Sequence, residues 1–174
     1  ERVFNEMAVN ADRIYLNGNE HLRAHVETEL RQDRMNKWIK EHYHAHEFER
    51  SQPLLHRVRG TKSELELEVM RKAAEITTKG YKRVLKYMKP GVWEHELEAE
   101  FMHEFLMNRS RGFAYTPIIA AGNNANVLHY IENNDECHDG DLVLFDVGAE
   151  YGNYTCDVTR CFPVNGKFTA RQAE

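Results

Sequence analysis

Asp146 closes the apolar run Leu142-Val143-Leu144-Phe145, and Asp157 follows eleven residues later in a stretch, 154–164, that reads as a returning strand. A continuous apolar run of this kind argues for a strand covered on both faces. Tyr151-Gly152 supplies a plausible hairpin tip. With the turn there, position i pairs with position 303 − i, and Asp146 falls opposite Asp157. Two carboxylates facing each other across a ladder repel, and burying them is costly unless something compensates. A divalent cation is one compensation, since carboxylate oxygen suits manganese, magnesium, cobalt or zinc. The other reading is that each Asp ends a strand or hydrogen-bonds a turn.

What precedes the hairpin reads as helix. Ser63 followed by Glu66 is a capping box. Behind it Leu65, Val69, Ala73, Ile76, Gly80 and Val84 recur at helical spacing and predict one buried face running to about Lys89. Gly80 is unfavourable in mid-helix, so close packing against a neighbour is expected there. Pro90-Gly91 ends this helix, and a second starts near Trp93 with Leu97, Phe101 and Phe105 on its buried face. Strands are then expected over residues 116–121 and 127–131, ahead of the hairpin. Helices followed by an antiparallel sheet make an α+β arrangement.

The N-terminal part reads differently. Short apolar runs over 3–16 predict strands, and the charged stretch from Glu20 to about Phe48, free of Pro and Gly, predicts a long solvated helix broken by Ser51-Gln52-Pro53. Size alone, at 174 residues, allows one ordinary domain. The expected division is nevertheless 1–50, the end of one domain with its connecting helix, and 51–174, an incomplete second domain. Both ends read as cut.

Composition excludes some function classes. A net charge of −5 argues against nucleic acid as a nonspecific partner. No apolar run approaches a membrane span, and no secretory leader is expected. Cys137, Cys156 and Cys161 form no CxxC pair, so reduced, mostly buried thiols and a cytoplasmic location are expected. His129, between apolar neighbours, reads either as a satisfied core residue or as a proton carrier. His95-Glu96 and His103-Glu104 start like a zinc-helix motif but lack its second His.

Three stretches taken together resemble a known family. They are Leu128-His129-Tyr130-Ile131-Glu132-Asn133, the run from Asp139-Gly140-Asp141 to Asp146-Val147-Gly148-Ala149-Glu150-Tyr151, and Tyr154-Thr155-Cys156-Asp157-Val158-Thr159-Arg160 with its Phe162-Pro163-Val164-Asn165-Gly166 tail. They look like the first metal-ligand half of aminopeptidase P and prolidase, the pita-bread metallopeptidases. The resemblance covers about residues 52–174. It implies the first half of a pita-bread catalytic domain, with Asp146 and Asp157 as two of five ligands to two divalent metal ions. Manganese is the first candidate, with zinc, cobalt or magnesium as alternatives. His129 would be the catalytic histidine, and Tyr115 and Thr159 would flank the metals. The implied reaction is hydrolysis of an N-terminal Xaa-Pro bond, on peptides with proline at the second position. A prolidase acting on Xaa-Pro dipeptides and a non-catalytic pita-bread binding module are the alternatives. The family's remaining His and two Glu ligands would lie beyond residue 174, so this stretch alone is expected to be inactive. The face that a missing half would cover predicts self-association or a partner chain, with a homo-oligomer as the expected state.

Overall fold

The computed structural model describes residues 2–18 and 29–173. The chain divides into two compact units, Glu1–Lys62 and Ser63–Glu174. The break therefore lies past the boundary expected at residue 50. No helix among the described residues is long and apolar enough to cross a membrane.

The first unit comprises α1 (Arg2–Ala8), β1 (Arg13–Leu16), α2 (Arg31–His42), β2 (Glu47–Arg50) and α3 (Gln52–Gly60). The stretch expected as strands thus opens with a helix. Phe4 and Ala8 lie four apart on it; Ala8 is buried, and Phe4 packs edge-on against Trp38 and Tyr43. Residues 20–28 of the expected 20–48 helix, including Leu22 and Val26, lie outside the described residues. The described part is helical only over α2, and β2 pairs in parallel with β1, Ile14 beside Phe48. Parallel strands need a crossover, which includes α2. Glu47, near the end of the expected helix, instead lies on β2, where it and Glu49 form cross-strand ion pairs with Arg13 of β1. Pro53 opens α3 as well as ending what precedes it, because a first-turn residue needs no amide donor.

The second unit follows the helix–helix–sheet order closely. It contains α4 (Glu64–Tyr87), α5 (Glu94–Met107), β3 (Ile118–Ala121), a 3-10 turn (Gly122–Asn126), β4 (Leu142–Val147), β5 (Glu150–Tyr151), β6 (Tyr154–Thr155) and β7 (Val158–Pro163). The capping box forms: the Ser63 amide donates to the Glu66 carboxylate at 2.7 Å, and the Glu66 amide donates to Ser63 Oγ at 3.4 Å. Ala73, Ile76, Gly80 and Val84 are buried, whereas Leu65, two turns ahead of Ala73, is exposed. A Cβ on Gly80 would come within 2.7 Å of both the Phe101 and Phe105 rings, so the close packing is real.

The main sheet is antiparallel in the order β3-β4-β7. Val143, Phe145 and Val147 of β4 are buried with Ile76, Val84, Leu97, Phe101 and Phe105 of the helices. Tyr81 ties α4 to the sheet, its hydroxyl 2.7 Å from the Val158 carbonyl and 3.2 Å from that of Phe145. The alternate residues Leu142, Leu144 and Asp146 are only half-buried. The expectation that this strand is covered on both faces is therefore corrected: the helices cover one face, and the other borders an open cavity.

Residues 127–131 are not a strand. Val127, Leu128 and Ile131 are exposed, and His129 has a left-handed φ of 55°. The mostly apolar run misled here because Tyr130, the residue that turns inward, is drawn to a buried carboxylate and not to a sheet partner.

Candidate functional site

The β5–β6 hairpin turns at Gly152 and Asn153, with φ of 59° and 66°, one residue later than expected. Pairing consequently runs as 305 − i, with Asp146 opposite Thr159. Asp157 is diagonal to Asp146, not directly across from it. A one-residue slip would have thrown Asp157 to the other face, but a two-residue shift in partner preserves the face. The two carboxylates still converge: Tyr115 Oη lies 2.7 Å from Asp146 Oδ1 and 3.0 Å from Asp157 Oδ1.

Two details of the backbone produce this convergence. A Cβ on Gly148 would sit 1.4 Å from the Cys156 carbonyl oxygen, so only glycine lets the returning chain pass that close. Gly148 also accepts a hydrogen bond from the Ala114 amide at 2.8 Å, and Gly112 accepts one from Glu150 at 3.1 Å. These bonds hold the 112–114 segment against the end of β4 and deliver Tyr115 to the pair. Desolvation and the two neighbouring carboxylates push the Tyr115 phenol well above its usual range, so it stays protonated.

The donor set suits a hard cation. Two carboxylates share a hydroxyl whose single proton can serve only one of them at a time, which leaves negative charge uncompensated. Among the described residues no group of three or more His, Cys, Asp or Glu side chains is arranged to hold a metal ion, so the pair is at most part of a coordination shell.

His129 and Thr159 line the same cavity as Asp146, about 310 Å³ in volume, with Ile118, Ala120 and Leu144 as apolar wall. Asp157 and His129 are both exposed. The three cysteines are unpaired, but only Cys137 is buried and Cys161 is exposed, which corrects the expectation of mostly buried thiols. Cys161 lies on β7, where Thr159, Arg160 and Cys161 are exposed in succession.

Sequence reasoning passed over two residues. Gly148 was one glycine within a motif, and its position just past an apolar strand was the available signal. Glu94 stands in the first turn of α5, a place where an acidic residue is ordinary. It is fully buried, with Oε1 accepting from the Ala121 amide at 2.8 Å and the Asn124 side chain at 3.1 Å. Its Oε2 accepts from the Tyr130 hydroxyl at 2.7 Å and the Asp135 amide at 3.1 Å. No spacing rule flags a lone carboxylate of this kind.

Comparison with known proteins places this geometry. Residues 68–174 match Metallopeptidase family M24. The Xaa-Pro aminopeptidase of Escherichia coli is 47% identical over 122 residues, which is 70% of this chain and 28% of that protein. A Bacillus anthracis structure assigned as an aminopeptidase P superposes with a TM-score of 0.83 at 32% identity, over 98% of this chain and 41% of that one. The zinc-substituted aminopeptidase P of E. coli in complex with product gives a TM-score of 0.76 at 36% identity, over 92% and 37%. The chain thus spans less than half the length of each of these relatives.

Proposed function

The chain belongs to metallopeptidase family M24, and on that premise we propose that the protein containing it is a metal-dependent Xaa-Pro aminopeptidase, removing the first residue of peptides whose second residue is proline. The observation that carries the reading is the convergence of Asp146 and Asp157 on one hydroxyl, inside the matched region. Residues 63–174 are then the first half of the catalytic domain, and residues 1–62 the end of the domain before it with its connection.

Asp146 and Asp157 would hold the metal through their carboxylate oxygens, and manganese is the ion we assign. When bound, a pair of divalent ions supplies an activated water and Lewis-acid stabilisation of developing negative charge. Tyr115 keeps the two carboxylates facing each other, since its hydroxyl touches both. His129, on the rim of the same cavity, would hold or pass a proton at its ring nitrogens beside the scissile bond. The apolar wall of Ile118, Ala120 and Leu144 offers a surface for an aliphatic part of the peptide. The reading includes a cytoplasmic location, supported by three unpaired thiols, and self-association, supported by the half-open face of β4.

The test uses the full-length protein, stripped with a chelator and reloaded with manganese. It should release the first residue from an Xaa-Pro-Yaa peptide only when reloaded, and Asp146→Asn should abolish release. Equal turnover in the stripped protein, or in Asp146→Asn, ends the reading. Residues 1–174 alone should show no turnover.

A further inference from the structure

We propose that Glu94 is a positioning residue: its buried carboxylate fixes the conformation of residues 121–135 and so sets where the His129 imidazole stands beside Asp146. The proposal rests on the role given to His129 above.

The four donors to Glu94 are spread along the whole segment. Ala121 is its start, Asn124 lies in the 3-10 turn, Tyr130 follows His129, and Asp135 is its end. The Glu94 amide in turn donates to the Asp135 carbonyl at 3.0 Å. A buried lone carboxylate is costly. Four hydrogen bonds to an ionised acceptor offset that cost, and the first turn of α5 adds a favourable dipole.

Other contacts also touch this segment, since the Tyr130 hydroxyl lies 3.1 Å from the Asn124 side chain and 3.4 Å from that of Asn134, and Asn133 donates to Glu98 of α5, but only Glu94 gathers four of its donors on one group. Past the 3-10 turn, its backbone bonds are local: the Val127 amide to Asn124 and the Tyr130 amide to Val127. His129 nevertheless holds a φ of 55°, a region that costs a side-chain-bearing residue about 1–2 kcal/mol. Such a conformation persists where its surroundings over-determine it. Here the next residue supplies the constraint. Tyr130 is buried, and its hydroxyl ends on Glu94. Moving that hydroxyl moves the neighbouring His129 backbone, and with it the imidazole.

Glu94→Gln keeps the size but turns an amide NH2 towards two donors, so bonds on that side fail. In the manganese-loaded full-length protein, Glu94→Gln should lower kcat by about 30-fold and change KM by less than about twofold, as expected for a misplaced group. In a His129→Ala background the same substitution should change kcat by less than about twofold, because no imidazole is left to misplace. Tyr130→Phe, which removes one donor and leaves three, should repeat the pattern at about fivefold. Equal fold losses with and without His129 would overturn the proposal and make Glu94 merely structural. Amide hydrogen exchange supplies a readout independent of turnover. In Glu94→Gln, exchange of residues 121–135 should rise at least about tenfold while β4 and β7 stay unchanged. Unaltered exchange in that segment overturns the proposal even in an active enzyme. A wild type that cleaves nothing, with the exchange pattern as expected, overturns the functional reading alone.

Discussion

Asp146 and His129 line one cavity but are held there by different kinds of structure. Asp146 sits in β4 between two partners, opposite Ile118 of β3 and Thr159 of β7. Its place is fixed by register, and register is shared among many backbone hydrogen bonds. His129 sits in a segment with no ladder, whose ends and middle all refer to the one carboxylate of Glu94. A ladder tolerates the loss of a single side chain, because the bonds around it remain. A hub does not. The carboxylates of a cation site need a fixed separation, which a sheet supplies, whereas an imidazole that meets substrate needs a particular approach, which an irregular segment can supply more freely.

The sharpest way to break this comparison is at the carboxylate pair, of which Asp146 lies in β4 and Asp157 just ahead of β7. Asp157→Asn in the full-length protein should reduce activity by about a thousandfold, the equivalent of several kcal/mol of lost charge stabilisation. The same change in metal-free protein should raise stability by up to about 1 kcal/mol, since it removes a like-charge neighbour. Enzyme assay and urea unfolding of one variant would thus move in opposite directions, and movement in the same direction would speak against the cation site. Next in size is Gly148→Ala. The added Cβ meets the Cys156 carbonyl 1.4 Å away, so backbone must shift, and a loss of about 3 kcal/mol is expected in urea unfolding. A wild-type midpoint would show that this close pass does not hold Asp157.

Gly80→Ala probes the support beneath the ladder. A Cβ there meets Phe101 and Phe105 at 2.7 Å. Overpacking of about 1–3 kcal/mol should outweigh the roughly 1 kcal/mol gained in helix propensity, leaving a net destabilisation of about 1 kcal/mol. A more stable variant would mean the two rings yield easily. The smallest effect concerns the hub side. Burial pushes the Cys137 thiol from 9.0 up to about 12, and burial with the Glu94 carboxylate pushes the Tyr130 phenol from 10.0 up to about 12. Both groups stay protonated in the fold at a pH where the unfolded chain has released its protons. Their stabilising contribution is full below about pH 9 and is lost as pH rises towards 12. Urea midpoints measured between pH 8 and pH 11 should fall, and amides of residues 121–135 should open before those of β4. A flat midpoint would contradict the assignment.

Much of the helix–sheet half was legible in the sequence, because periodicity, capping and turn residues all pointed the same way. Ser63 and Glu66, the Ala73–Ile76–Gly80–Val84 stripe and the apolar β4 each have a local signature. The aspartate pair was legible too, although its register was read from the wrong turn residue. Gly152 and Asn153 both accept positive φ, so sequence alone allowed the tip to fall on either side. The first unit was less legible. Glu47 is as compatible with the end of a solvated helix as with a charged strand, and only its parallel partner β1, where Arg13 pairs with it, decides between them. Residues 127–131 misled for the opposite reason. Their apolar content is strand-like, but the inward residue, Tyr130, serves a long-range hydrogen bond to Glu94, thirty-six positions away, that no local pattern encodes.

The open face of the sheet also carries its own optical handle. Leu144 pairs with Cys161, and Asp146 with Thr159, so the exposed Cys161 shares the cavity-side face two residues from Thr159. Cys137, the fully buried thiol, is shielded from labelling reagents. An environment-sensitive dye attached at Cys161 would sit where anything that comes to lie over this face must exclude water. Its emission would report docking of a second chain, or of a peptide, on the time scale of a stopped-flow mixing experiment and without a chemical reaction.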